Sequence, residues 1–194
     1  MRSLTSGEVC FLAYYCLVIL LYISSPNWVA FAFDTEAKAL LKWKASLFQN
    51  QALNNLTWYP PIQNATNSSS NAKHKTIPCT SAGVSCNSAG SVSTINLSTC
   101  GIQGTLHEFP FFSFPNLEQL NLSVNKLFDT IPPQISYLSK LIYLDLSDNQ
   151  LSGRIPPEIG LLRNLTILYL YENKFFVDIP YEIGNLKSCG ARFV

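Results

Sequence analysis

The chain is poor in charge. Only 13% of its 194 residues are charged, and 13 basic against 12 acidic side chains leave a net charge of +1. So even a balance excludes a general electrostatic hold on nucleic acid or on an anionic membrane surface. Histidine is scarce too: His74 and His107 have no acidic or thiol companions at ligand spacing, so neither a metal site nor a cofactor is expected. Gly83-Val84-Ser85-Cys86-Asn87 approaches a nucleophile elbow but lacks its second glycine and an α/β context. No catalytic residue is expected. A hydrophobic content of 47% in turn excludes a wholly disordered chain.

Long apolar runs are confined to one end. Val9 to Ile23 are fifteen residues without a charge, with Arg2 ahead and Ala30-Phe31-Ala32 behind. A basic residue, an apolar run and small residues two apart form a secretory signal peptide, expected over 1–32 with cleavage after Ala32. The alternative is an uncleaved anchor, because the uncharged stretch reaches Phe33 and a bilayer core is about 30 Å thick. Ser24, Ser25, Pro26 and Asn27 interrupt it and favour cleavage. Either way the chain enters the secretory pathway, for the extracellular space (the apoplast) or the cell surface. Membrane association follows only if the segment stays attached.

The main signal is a repeat. Asn116-Leu-Glu-Gln-Leu-Asn-Leu-Ser-Val-Asn-Lys-Leu recurs 24 residues later from Lys140 and again from Asn164. A looser copy, 25 residues long, starts at Val92, its extra residue falling within Phe109 to Phe114. L-x-x-L-x-L-x-x-N/C-x-L at this period is a leucine-rich repeat. Leu120 and Leu122 lie two apart and share one face of a short strand, so strands of successive repeats stack in parallel and bury that face. The expected fold is an α/β solenoid: a right-handed superhelix with a parallel β-sheet on its concave side and a helical, disulfide-bearing N-terminal cap. Asn125, Asn149 and Asn173 should form a ladder whose amides bond to neighbouring turns, since a buried amide without partners costs about 1–3 kcal/mol. Cys100 replaces that Asn in the first copy and is expected as a buried, unreactive thiol.

Domains are expected at 1–32 (signal), 33–91 (cap), 92–188 (about four repeats) and 189–194 (a divergent tail). In the cap, residues 34–47 have Ala37, Leu40, Leu41, Ala45 and Leu47 at near-helical spacing, with Trp43 off that face and Asp34 or Thr35 available as N-cap. Asn64 to Lys75, rich in Asn and Ser, reads as a loop. Cys79 and Cys86 are most simply a disulfide; the alternative is two free thiols.

The segment from Glu36 to Leu47 (E-A-x-A-L-L-x-W-K-x-S-L) and the P-C…G-V-x-C pair of Pro78 to Cys86 resemble the N-terminal cap of plant leucine-rich repeat receptor kinases and receptor-like proteins. The repeats resemble the plant type as well, in Leu151-Ser-Gly-Arg-Ile-Pro-Pro-Glu-Ile-Gly160. Departures are Ser81, where family caps usually carry Trp, and Asp129 and Val177, where repeats carry Gly. After Ser188 the period calls for leucine at 189, where Cys189 stands. The chain therefore reads as the start of a longer ectodomain. The resemblance brings no kinase with it, for P-loop, H-R-D and D-F-G are all missing from the sequence.

Function is expected on the concave face, where strand residues between the buried leucines point outward in columns. Early rungs are small and polar there; later ones carry Tyr143, Tyr169 and Tyr171 with Asp145, Asp148 and Glu172. These six are the expected ligand-binding residues, suited to a protein or peptide with basic or polar groups. The resemblance implies an extracellular recognition module whose partners are such ligands and other receptor ectodomains. Alternatives are an inhibitor of secreted microbial wall-degrading enzymes, similar to plant polygalacturonase inhibitors, or an inactive truncated product exposing Leu165, Leu168, Leu170 and Phe175. Six N-x-S/T sequons occur, at Asn55, Asn64, Asn67, Asn96, Asn121 and Asn164. Glycans at Asn96 and Asn121 would obstruct the early concave face.

Overall fold

The computed structural model describes residues 26–48, 56, 58, 78–176, 179–186 and 190–192, excluding the side chains of 26–34 and 190–192. The chain clusters into two units, Met1–Ala32 and Phe33–Val194, and the repeats lie in the second. Most of the expected signal segment (1–25), the Asn/Ser-rich stretch and Asn55, Asn64 and Asn67 lie outside the described residues.

Helix α1 spans Pro26–Ser46. The expected start at Asp34 or Thr35 is not the observed one. A proline in the first turn forfeits only an N–H that has no intrahelical partner there. The helix buries Glu36, Ala37, Leu40 and Trp43, and Leu47 just past its end is buried as well, a stripe three and four residues apart. That corrects the expected face, because Ala45 is exposed and Trp43 is wholly buried. The indole carries the largest apolar surface of the segment, so burying it decides the rotation of the helix. Trp43 meets the Phe109 ring edge-on at 4.8 Å and lies 6.4 Å from Trp58. Trp58 donates its indole N–H to the Ala82 carbonyl at 2.9 Å, and Ser81 beside it is buried.

Strand β1 (Val84–Cys86) pairs antiparallel with β2 (Val92–Asn96). A disulfide joins Cys79 to Cys86, with Cα atoms 5.4 Å apart. The Glu36 carboxylate accepts hydrogen bonds from the Ser91 hydroxyl at 2.6 Å and the Val92 amide at 3.0 Å, tying α1 to the first rung. Burial pushes the Glu36 pKa above its ordinary value, outweighing the opposing effect of those two bonds.

From β2 onward each repeat adds one strand to a parallel sheet: β4 (Gln119–Asn121), β6 (Tyr143–Asp145), β8 (Ile167–Tyr169) and β10 (Gly190–Arg192). Ile95, Leu120, Leu144 and Leu168 are register partners on successive strands, as the period requires. A second parallel sheet was not expected: β3 (Gln103–Gly104), β5 (Lys126–Asp129), β7 (Gln150–Gly153) and β9 (Lys174–Phe175). Short 3-10 helices follow at Phe111–Ser113, Pro133–Tyr137, Pro157–Leu161 and Tyr181–Asn185. Gly160 admits the next repeat closely, because a Cβ there would collide with the Glu182 backbone carbonyl.

The asparagine side chains connect rungs. The Asn149 amide donates to the carbonyls of Leu122, Leu146 and Ser147, and its Oδ1 accepts the Leu127 N–H at 2.9 Å. Asn125 bonds in the same way to Leu97 and Ile102, and Asn173 to Leu146 and Leu151. The residue before each of these, together with Thr99 before Cys100, is left-handed: Thr99, Val124, Asp148 and Glu172 have φ of 57°, 54°, 53° and 52°. Cys100 itself is half-buried, not buried as expected, and burial pushes its thiol pKa up.

One further expectation is corrected at the last repeat. Leu165, Leu168 and Leu170 are buried, because β10 and the helix Tyr181–Asn185 extend the stack beyond them; Phe175 is half-buried. Exposed instead are Phe176, Ile179 and Tyr181. The tail 189–194 contains a strand whose Ala191 pairs with Leu168, one position short of the 24-residue offset between Leu144 and Leu168.

Candidate functional site

The concave sheet brings the three expected tyrosines together. Tyr143 on β6 and Tyr169 on β8 meet edge to face at 6.0 Å and 86°, and Tyr171 just past β8 lies 5.9 Å from Tyr169. They are not direct register partners: Tyr143 pairs with Ile167, and Tyr169 pairs with Asp145. Reach across the diagonal comes from ring size. All three are half-buried, so the cluster presents a partly dry aromatic surface.

The acids divide into two kinds. Asp145, expected to face solvent, is buried at 6%. Its Oδ1 accepts from the Ser147 amide at 3.0 Å and hydroxyl at 2.6 Å, while Oδ2 accepts from the Tyr143 hydroxyl at 3.0 Å. A carboxylate with both oxygens engaged orients a tyrosine; it does not await a ligand. Burial, the Asp145 hydrogen bond and charge, and the neighbouring Tyr169 and Tyr171 push the Tyr143 phenol up to about 12. Tyr143 therefore stays a neutral donor at any physiological pH.

Asp148 and Glu172 are exposed. They occupy equivalent left-handed positions on adjacent rungs, where the Asp148 amide donates to the Tyr171 carbonyl at 3.1 Å and the Asn149 amide to the Glu172 carbonyl at 3.1 Å. Glu172 directly follows Tyr171, and Asp148 takes the equivalent place one rung earlier, so both acids stand just past the ends of the tyrosine-bearing strands.

The early rungs differ. Asn96 and Asn121 are register partners on β2 and β4, and each accepts at Oδ1 from the amide and hydroxyl of the serine two residues on. Asn96 is exposed and Asn121 half-buried. Asn164 is exposed and donates to the Ser139 carbonyl at 2.9 Å. Away from the concave sheet, a cavity of about 280 Å³ borders His107, Phe112 and Tyr137. His107 there faces Asp129 at 3.4 Å. Among the described residues no group of three or more His, Cys, Asp or Glu could hold a metal ion, and no helix is long and apolar enough to cross a membrane.

A leucine-rich repeat family model matches residues 115–175. The fold is similar to the BIR2 ectodomain of Arabidopsis thaliana, at 30% identity and a TM-score of 0.68, covering 80% of this chain and 76% of that one. The chain belongs to the leucine-rich repeat family of plant receptor ectodomains. This leucine-rich repeat ectodomain is also similar to a chain of the Arabidopsis BIR3–SERK2 complex, at 27% identity and a TM-score of 0.62, covering 80% of this chain and 81% of that one. A probable leucine-rich repeat receptor-like protein kinase of Arabidopsis is 44% identical over 125 residues, 64% of this chain and 10% of the kinase. The chain spans about a tenth of the length of the receptor kinases it matches.

Sequence reasoning missed the role of Glu36, the inward turn of Trp43 and the second sheet. Only the last left a readable trace, in the alternation of Gln150, Leu151, Ser152 and Gly153, where Leu151 and Gly153 are buried.

Proposed function

We propose that this ectodomain is an extracellular recognition module that binds a peptide or protein segment carrying a basic side chain on its concave face, without catalysis. The observation that supports this most is the cluster of Tyr143, Tyr169 and Tyr171, with the exposed Asp148 and Glu172 just past the ends of the same rungs. An Arg or Lys of the ligand lies over the Tyr169 or Tyr171 ring and is neutralised by the two acids; cation–π contact contributes about 0.5–2 kcal/mol. Asp145 fixes the Tyr143 side chain by accepting a hydrogen bond from its hydroxyl. Similar structures include the BIR3–SERK2 complex and the GASSHO1/SCHENGEN3 ectodomain in complex with CASPARIAN STRIP INTEGRITY FACTOR 2, which favours recognition over inhibition of secreted enzymes. It also favours a cell-surface or extracellular location, with peptides and other receptor ectodomains as partners.

A peptide pool displayed on phage and selected on the secreted chain tests this. The expected winners carry Arg or Lys and lose binding to Tyr169→Ala and to Asp148→Asn/Glu172→Gln. Selection of acidic peptides, or binding indifferent to these changes, would overturn the reading.

A further inference from the structure

Asn96-Leu97-Ser98 and Asn121-Leu122-Ser123 are the same tripeptide, one on each of two neighbouring strands. Their surroundings differ. On the cap side of Asn96 stands Gly83, whose carbonyl accepts the Asn96 amide at 2.7 Å and which places no side chain beside it. Asn121 has side chains on both sides, Asn96 and Asp145, and its sequon serine is buried at 7%. Both asparagines turn Oδ1 into a local hydrogen-bonded loop. Among the described residues neither Nδ2 has a hydrogen-bond partner, whereas Nδ2 of Asn164 is held by the preceding repeat.

We propose that Asn96, and not Asn121, carries an N-linked glycan in the folded protein, and that this glycan covers the concave face of the first two rungs. The proposal rests on the export argued above. In the modification, Asn96 Nδ2 attacks the anomeric carbon of a lipid-diphosphate-linked oligosaccharide. An N–C bond forms, the C–O bond to the diphosphate breaks, the lipid diphosphate leaves and one amide proton passes to base. At Asn96 the new chain extends over the small polar surface of Thr94 and Gln119, with Gly83 as its described neighbour on the cap side. A chain at Asn121 would rise between Asn96 and Asp145 in mid-sheet, crowding Tyr143. With the early rungs covered, a ligand is left the tyrosine-bearing later rungs.

The full chain, secreted from a plant host, is treated with peptide N-glycosidase in ¹⁸O water and mapped by mass spectrometry. Label at Asn96 and none at Asn121 is expected, and Asn96→Gln and Ser98→Ala should each lose the mass of one glycan. Label at Asn164 without label at Asn96, or equal label at Asn96 and Asn121, would overturn the proposal while leaving export intact. Label at no sequon of the secreted chain would overturn the proposal while leaving export intact, whereas failure of the chain to be secreted at all would overturn export. Coverage is read from Gln119→Cys, which should react with a bulky maleimide more slowly in the glycosylated protein than in the Ser98→Ala background. Equal rates would remove the covering role.

Discussion

Asn149 Oδ1 accepts the backbone N–H of Leu127 at 2.9 Å, so a side chain of one rung satisfies the main chain of the rung before it. Its Nδ2 binds Leu122 of that same preceding rung and Leu146 and Ser147 of its own. Asn149→Ala strips partners from several buried backbone groups at once. It is expected to cost about 3 kcal/mol, read as a lower urea midpoint. Asn149→Asp keeps the acceptor and loses the donors, and should also destabilise. A midpoint within error of the parent for both would mean that the ladder is ornamental.

Val124 has φ of 54°, a region that β-branched residues avoid. Its side chain is 50% exposed, so little packing offsets the strain. Val124→Asn, which tolerates this conformation, is expected to stabilise by about 1 kcal/mol, measured by thermal or urea unfolding. The equivalent change at Asp148 should yield less, because aspartate already tolerates it.

The Tyr143 phenol is pushed up from 10.0 to about 12. A phenol whose folded pKa lies above its unfolded one favours folding fully below pH 10, and that contribution fades as pH climbs toward 12. The repeats should therefore weaken across that alkaline window, and Tyr143→Phe should flatten the loss. A spectrophotometric tyrosine titration should show one late-ionising phenol that the variant lacks.

Glu36 has its pKa raised from 4.5 by burial. The same sign rule applies: its contribution is complete below 4.5 and declines as pH rises through its folded value. Glu36→Gln removes this group's pH dependence while retaining an acceptor for Ser91 or Val92. Glu36→Ala leaves both donors without their acceptor and is expected to cost about 2 kcal/mol. Unfolding midpoints taken on both sides of pH 4.5 separate the two effects.

The solenoid was legible because its evidence is periodic. Leu120, Leu144 and Leu168 recur 24 residues apart, and a stack of parallel strands is how such a repeat buries them. The asparagine ladder followed from the same offset. Trp43 was misread because a helix with apolar residues on several sides does not declare which side meets the core; contact with Phe109 and Trp58 decides. Asp145 was misread for a related reason. Alternation places it on the concave face, but the Ser147 and Tyr143 hydroxyls, two residues on either side, enclose it.

Sequence alone thus determined the repeat, its strand register and the columns in which Tyr143, Tyr169 and Tyr171 stand, since those depend on spacing along the chain. Tertiary structure alone decided which acids are buried, what stands beside each of two identical sequons, and which residue links cap to first rung. These depend on what neighbouring rungs place beside a side chain, and burial by residues distant in sequence leaves no mark on the local pattern.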